Sequence, residues 1–110
     1  MTNKQADIFH VTTVEGISTA KQSGSYECES LQTEGFIHCC RQEQLAGVLE
    51  RYYQGASNLQ LLEIVSDKLD AKLVYENTMG GDELFPHIYG PINMNAVIAI
   101  SVVEPGNATP

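Results

Sequence analysis

Residues 81 to 92, GDELFPHIYGPI, set two carboxylates, a histidine and a tyrosine among Leu84, Phe85 and Ile88 and enclose the histidine between Pro86 and Pro91. The chain has three histidines, and each lies in a β-rich or turn segment beside apolar residues with a hydroxyl, thiol or acid nearby. His10 is close to Thr12, His38 to Cys39 and Cys40, and His87 to Glu83 and Tyr89. Imidazole donates and accepts hydrogen bonds near neutral pH, so histidines brought to one pocket can orient a ribose hydroxyl or move a proton. Taken singly, each also suits a partly buried position whose ring nitrogens bond the backbone. Tyr89 equally suits a packed ring with a satisfied hydroxyl, and the adjacent Tyr52 and Tyr53 read as core plus surface rather than as a stacking platform.

Composition narrows the chemistry. The 110 residues are 43% hydrophobic, enough for one domain with a modest core. Six Lys and Arg against 14 Asp and Glu give a net charge of -8, which repels a run of phosphates and excludes DNA as a partner. The N-terminal MTNKQADIFHVTT has no hydrophobic signal region, and AVIAISVV at 96 to 103 is far too short to span a membrane. A cytoplasmic protein without membrane contact is expected. Cys28, Cys39 and Cys40 are odd in number and two are adjacent, so they read as reduced thiols. With no C-x-x-C or H-x-x-x-H spacing, no metal is expected.

The elements that must carry these residues follow from periodicity. DIFHVTT at 7 to 13 reads as a strand with Ile8, His10 and Thr12 on one face and Phe9 and Val11 on the other. Thr12 and Glu15 have capping-box spacing ahead of a short helix through Val14, Ile17 and Ala20 that Gly24 ends. SYECES reads as loop, and GFIHCC as a short strand with Phe36, His38 and Cys40 on one side and Ile37 and Cys39 on the other. From Arg41, the spacing of Leu45, Val48, Leu49 and Tyr52 predicts the best helix, with Gly55 near its cap. LQLLEIV at 59 to 65 and KLVYEN at 72 to 77 read as strands joined by the turn SDKLDA. Gly80 and Gly81 form a hinge in a flexible connection, PHIYGP a stiff connector, and residues 96 to 103 a central strand covered on both faces. The first residues and the tail PGNATP are expected to be loose.

F-H-V-T-T, E-G-F-I-H-C and E-L-F-P-H-I-Y-G-P-I, in this order and spacing, resemble the uncharacterised bacterial family called domain of unknown function 952, over about residues 7 to 104. That family is similar in fold to the ADP-ribosyltransferase superfamily, which includes RNA 2′-phosphotransferases. The resemblance implies an α+β fold with a mixed or antiparallel sheet core and two main helices, and NAD as the cofactor. It also implies roles. His10, followed two residues later by Thr12, would hold a ribose hydroxyl, and His38 would shape the nicotinamide pocket. Arg41 and Tyr89 complete the expected cofactor-binding set, and Glu83 is the nearest equivalent of the superfamily's catalytic glutamate. His87 would replace that glutamate or bind phosphate.

Cleavage of the nicotinamide glycosidic bond passes through an oxocarbenium-like species that a nearby carboxylate stabilises. One reading of these residues is therefore an enzyme of that type, with Glu83 or His87 catalytic. The other is a module that binds a nucleotide or small molecule without turnover. Arg41 and Arg51 on one helical segment fit poorly the paired arginines that RNA 2′-phosphotransfer would use.

Overall fold

Alternation in two strands sets the frame of the computed structural model, which describes residues 5–77 and 82–103. β1 (Ile8–Thr13) runs antiparallel to β4 (Leu59–Ile64), with Ile8 opposite Ile64, His10 opposite Leu62 and Val11 opposite Leu61. Because successive strand side chains face opposite ways, Ile8, Leu62 and Ile64 enter one apolar cluster and Phe9, Val11, Leu59 and Leu61 another. α1 (Val14–Ser23) packs on the first cluster through Ile17 and Ala20, and α3 (Leu45–Tyr52) on the second through Leu49. The two longest helices thus lie over opposite faces of one sheet.

β8 (Val97–Val102) completes that sheet on the far side of β4, giving the order β1-β4-β8. A second three-stranded sheet has β6 (Phe85–Tyr89) between β3 (Ile37–His38) and β5 (Lys72–Glu76). β2 (Ser25–Tyr26) pairs with β7 (Ile92–Asn93), and all pairings are antiparallel. The two larger sheets meet at one backbone bridge. Phe9 N–H donates to the Cys40 carbonyl at 2.7 Å, and Cys40 N–H to the Phe9 carbonyl at 2.8 Å.

Several sequence expectations are corrected. The cap of α1 is Thr13, whose Oγ1 accepts from Gly16 N–H at 3.1 Å, while Thr12 is turned inward. The helix ends at Gly24, at φ 84°, as its position suggested. SYECES is not loop throughout: it contains β2, and α2 (Glu29–Thr33) begins at its end. Two paired residues and a five-residue helix are too short to show a period. PHIYGP is not a connector, because most of it forms β6, the middle strand of its sheet. The bias of a pre-proline residue toward extended backbone is satisfied as well by a strand as by a linker. Residues 97 to 102 form an edge, not a covered centre: β8 pairs with β4 alone among the described strands, and Ile98 and Val102 are 46% and 76% exposed. A continuous apolar run does not by itself say how many neighbours it has. The Gly80–Gly81 hinge and the tail PGNATP lie outside the described residues, as do the first four positions.

The closeness of α1 to β1 makes a test. A Cβ at Gly16 would stand 2.7 Å from Thr12 Oγ1, which is bonded to Tyr26 on a side chain with restricted χ1. Alanine normally favours a helix over glycine by about 1 kcal/mol. Here the clash reverses that sign, and Gly16→Ala is expected to lower stability by about 1–2 kcal/mol in urea unfolding. An unchanged or raised midpoint would show that Thr12 yields freely.

Candidate functional site

The chain just after β3 meets β1 at the Phe9–Cys40 bridge, and a cleft of about 570 Å³ is lined from both sides of this junction. All three histidines line it: His10 from β1, His38 from β3 and His87 from β6. His38 and His87 are direct partners across the β3–β6 pair, their rings 5.1 Å apart and edge to face. Phe9, Tyr26, Tyr53 and Phe85 supply aromatic surface, and Glu29 and Glu34 supply the carboxylates. No Lys or Arg is among the described lining residues.

His10 is buried and fully bonded. Its Nδ1 lies 2.6 Å from the His38 carbonyl, and its Nε2 lies 2.9 Å from the Tyr26 hydroxyl. A carbonyl only accepts, so Nδ1 carries the proton. Burial lowers the His10 pKa to about 4 despite the bond to the His38 carbonyl, so the ring is neutral and Nε2 accepts from Tyr26 O–H. Thr12 closes the chain, with its Oγ1 2.8 Å from the Tyr26 oxygen. Burial also pushes the Tyr26 hydroxyl well above the usual phenol range.

His87 is held differently. It is 2% exposed, and its Nδ1 lies 2.9 Å from Glu76 Oε2, which also accepts from Tyr89 O–H. The Tyr89 hydrogen bond, then that of His87, holds the Glu76 carboxyl below its usual range. Phe36 stacks on the His87 ring at 4.2 Å with 20° between planes. One nitrogen is thus fixed by a carboxylate and one face by an aromatic ring, while Nε2 has no hydrogen-bond partner among the described residues. That is the arrangement of an oriented acid or base. His38 stands nearer solvent, its Nε2 3.1 Å from Glu34 Oε2.

The other residues singled out from sequence lie outside the lining. Glu83 is exposed and accepts from Gln44 Nε2 at 3.0 Å. Arg41 is turned to Glu43 Oε2 at 2.7 Å and the Leu84 carbonyl at 3.3 Å. Thr12 lies behind His10, and Tyr89 behind His87 through Glu76. Sequence reasoning missed Tyr26, Cys28, Glu34 and Glu76. Tyr26 had a signal, as the one large side chain between Gly24 and Leu31. Glu76 had none short of the β5–β6 register that sets Val74 opposite His87 and Glu76 opposite Phe85. Cys39 and Cys40 are poor nucleophiles: burial raises the Cys39 thiol strongly and takes Cys40 to about 12. No group of three His, Cys, Asp or Glu suited to a metal ion occurs among the described residues.

These features define an antiparallel α+β protein with a histidine-lined cleft where two sheets meet. The chain belongs to the family described as Protein of unknown function (DUF952), whose profile matches residues 11–100. It is similar to the crystal structure of protein CC0527 from Caulobacter crescentus, with 28% identity and a TM-score of 0.79 over 88% of this chain and 85% of that one. The solution NMR structure of CC0527 gives 27% identity and a TM-score of 0.76 over 89% and 84%. No curated protein matches the chain. No helix among the described residues is long and apolar enough to cross a membrane.

The neutral burial of His10 sets a pH dependence. An unfolded chain protonates this imidazole near its ordinary value of 6.5, whereas the folded protein does so near 4. Between these values the unfolded state binds more protons, so stability falls as pH falls. The loss is about 3 kcal/mol across the window. Urea unfolding at stepped pH should show it, and His10→Gln should flatten this part of the profile. Equal slopes in the two proteins would remove His10 as the source.

Proposed function

We propose that the cleft binds the nicotinamide–nucleoside end of an NAD-type nucleotide, and that His87 acts there as a proton acceptor in cleavage of the glycosidic bond. The observation that carries this reading is the convergence of His10, His38 and His87 on one aromatic cleft. A volume of about 570 Å³ is in the range of small-molecule sites and suits a planar ring with its sugar. The finer likeness to ADP-ribosyltransferases, on which the choice of NAD rests, comes from the sequence motifs.

The roles differ from those the resemblance implied. His10 has both ring nitrogens engaged within the protein, so it shapes the wall rather than holding a ribose hydroxyl. Glu83 lies outside the lining, and the Glu76–His87 pair takes its place. In a hydrolytic step, water oxygen attacks the anomeric carbon and gives a proton to His87 Nε2. The carbon–nitrogen bond breaks with its electron pair returning to the ring, so nicotinamide leaves neutral. Glu76 stabilises the imidazolium formed. The three free thiols suit a reducing cytoplasm. Arg41 and Arg51 are both absent from the described lining, so no arginine clamp for RNA 2′-phosphotransfer is assembled there.

A second reading, binding without turnover, is favoured by the exposed position of Glu83 and its bond to Gln44. Titration calorimetry with NAD and nicotinamide riboside, together with chromatographic detection of released nicotinamide, separates the two. Under the first reading, His87→Asn lowers release by about 100-fold with binding retained, and Glu83→Gln leaves release unchanged. Binding without release selects the second. No heat with either compound at millimolar concentration sinks both.

A further inference from the structure

We infer that the cleft selects a positively charged aromatic ligand and keeps phosphate groups outside, an inference that rests on the heterocycle-binding reading above. Its ionisable lining consists of the three histidines, three tyrosines of differing burial, the cysteines, and the carboxylates of Glu29 and Glu34. His10 is held neutral by burial. His38 faces Glu34 and can offset that carboxylate alone, so Glu29 stands with no lining Lys or Arg opposite it. The nearby guanidinium, that of Arg41, is spent on Glu43 and the Leu84 carbonyl.

The rest of the cleft makes this charge selective. Tyr26, Tyr52, Tyr53 and Phe85 contribute to the lining, and aromatic faces attract cations through their quadrupoles. Concave, low-dielectric walls concentrate the field of the carboxylates and of a chain whose net charge is -8. The buried His87 ring is an independent pointer to a ligand. With Nδ1 fixed on Glu76, its Nε2 has no hydrogen-bond partner among the described residues and the ring lines the cleft, so it can accept from a ligand hydroxyl or water there. A pyrophosphate would have to shed water beside two carboxylates without the paired donors that normally hold it. The ligand class is therefore an N-substituted heterocyclic cation, free or as the nucleoside end of a molecule whose phosphates stay outside the cleft.

The test compares charge at near-constant shape on the full-length protein by titration calorimetry. N-methylnicotinamide is expected to bind at least about tenfold more tightly than neutral nicotinamide. ADP-ribose is expected to bind more weakly than either. The advantage of the cation should shrink with added salt and in Glu29→Gln/Glu34→Gln, two exposed positions whose change leaves the core untouched. Equal affinity for N-methylnicotinamide and nicotinamide, or stronger binding of ADP-ribose, overturns the inference while leaving heterocycle binding intact. A second pair, benzyltrimethylammonium against benzyl alcohol, keeps the two readings apart. If the ammonium compound binds and no nicotinamide compound does, the nicotinamide reading falls and charge selection stands. If neither cation binds, the inference falls.

Discussion

The Nδ1–H of His10 crosses from β1 to the backbone of β3, 2.6 Å from the His38 carbonyl, and beside it the Phe9–Cys40 bridge supplies two backbone bonds. β1 and β3 belong to different sheets, and these contacts hold them edge to edge at that point. The bond is strong enough to matter because the ring is dry, and it persists because the ring is neutral. An imidazolium at this depth would be held out of water with no carboxylate beside it, a cost of several kcal/mol for an unpaired buried ion. The same desolvation that fixes the tautomer therefore fixes the angle at which one wall of the cleft meets the other.

A division of labour follows between depth and rim. The inner wall consists of groups whose hydrogen bonds are closed among themselves: Thr12, Tyr26, His10 and the His38 carbonyl. Buried Cys39 and Cys40, with thiols shifted upward, add to its inertness. His87 is as deeply buried, but among the described residues only one of its nitrogens is tied, and the tie is a carboxylate rather than a carbonyl. That single difference turns a packing histidine into one able to exchange a proton with a guest. His38 and Glu34 stand at the outer edge, where solvent reaches both.

Much of this frame was legible in the sequence because it rests on period. The split of Ile8 from Phe9 and Val11, and the helices over Val14 to Ala20 and Leu45 to Tyr52, follow from alternation and from the 3.6-residue repeat. The meeting of the three histidines was open in the sequence, where types and neighbours suggested it, and the fold places all three on one cleft. What did not show was set by register between distant segments. Glu76 reaches His87 only because β5 and β6 pair as they do, and Tyr26 reaches His10 only because β2 is drawn to β7. Glu83, singled out as the nearest equivalent of the superfamily's catalytic glutamate, lies outside the cleft lining. β6 is an extended strand, and the chain at Glu83 is instead captured by Gln44.

Pro86 has a further consequence for the junction. Its carbonyl accepts from Cys39 N–H at 3.0 Å, but the ring nitrogen has no hydrogen to return, so the ladder between β3 and β6 stops after two residue pairs. Cys40, one residue further on, carries its N–H and C=O on the opposite side of the chain and exchanges both with Phe9. The imino acid thus ends one ladder at Cys39, one residue before the bridge to the other sheet, so the segment from Ile37 to Cys40 serves both sheets in turn.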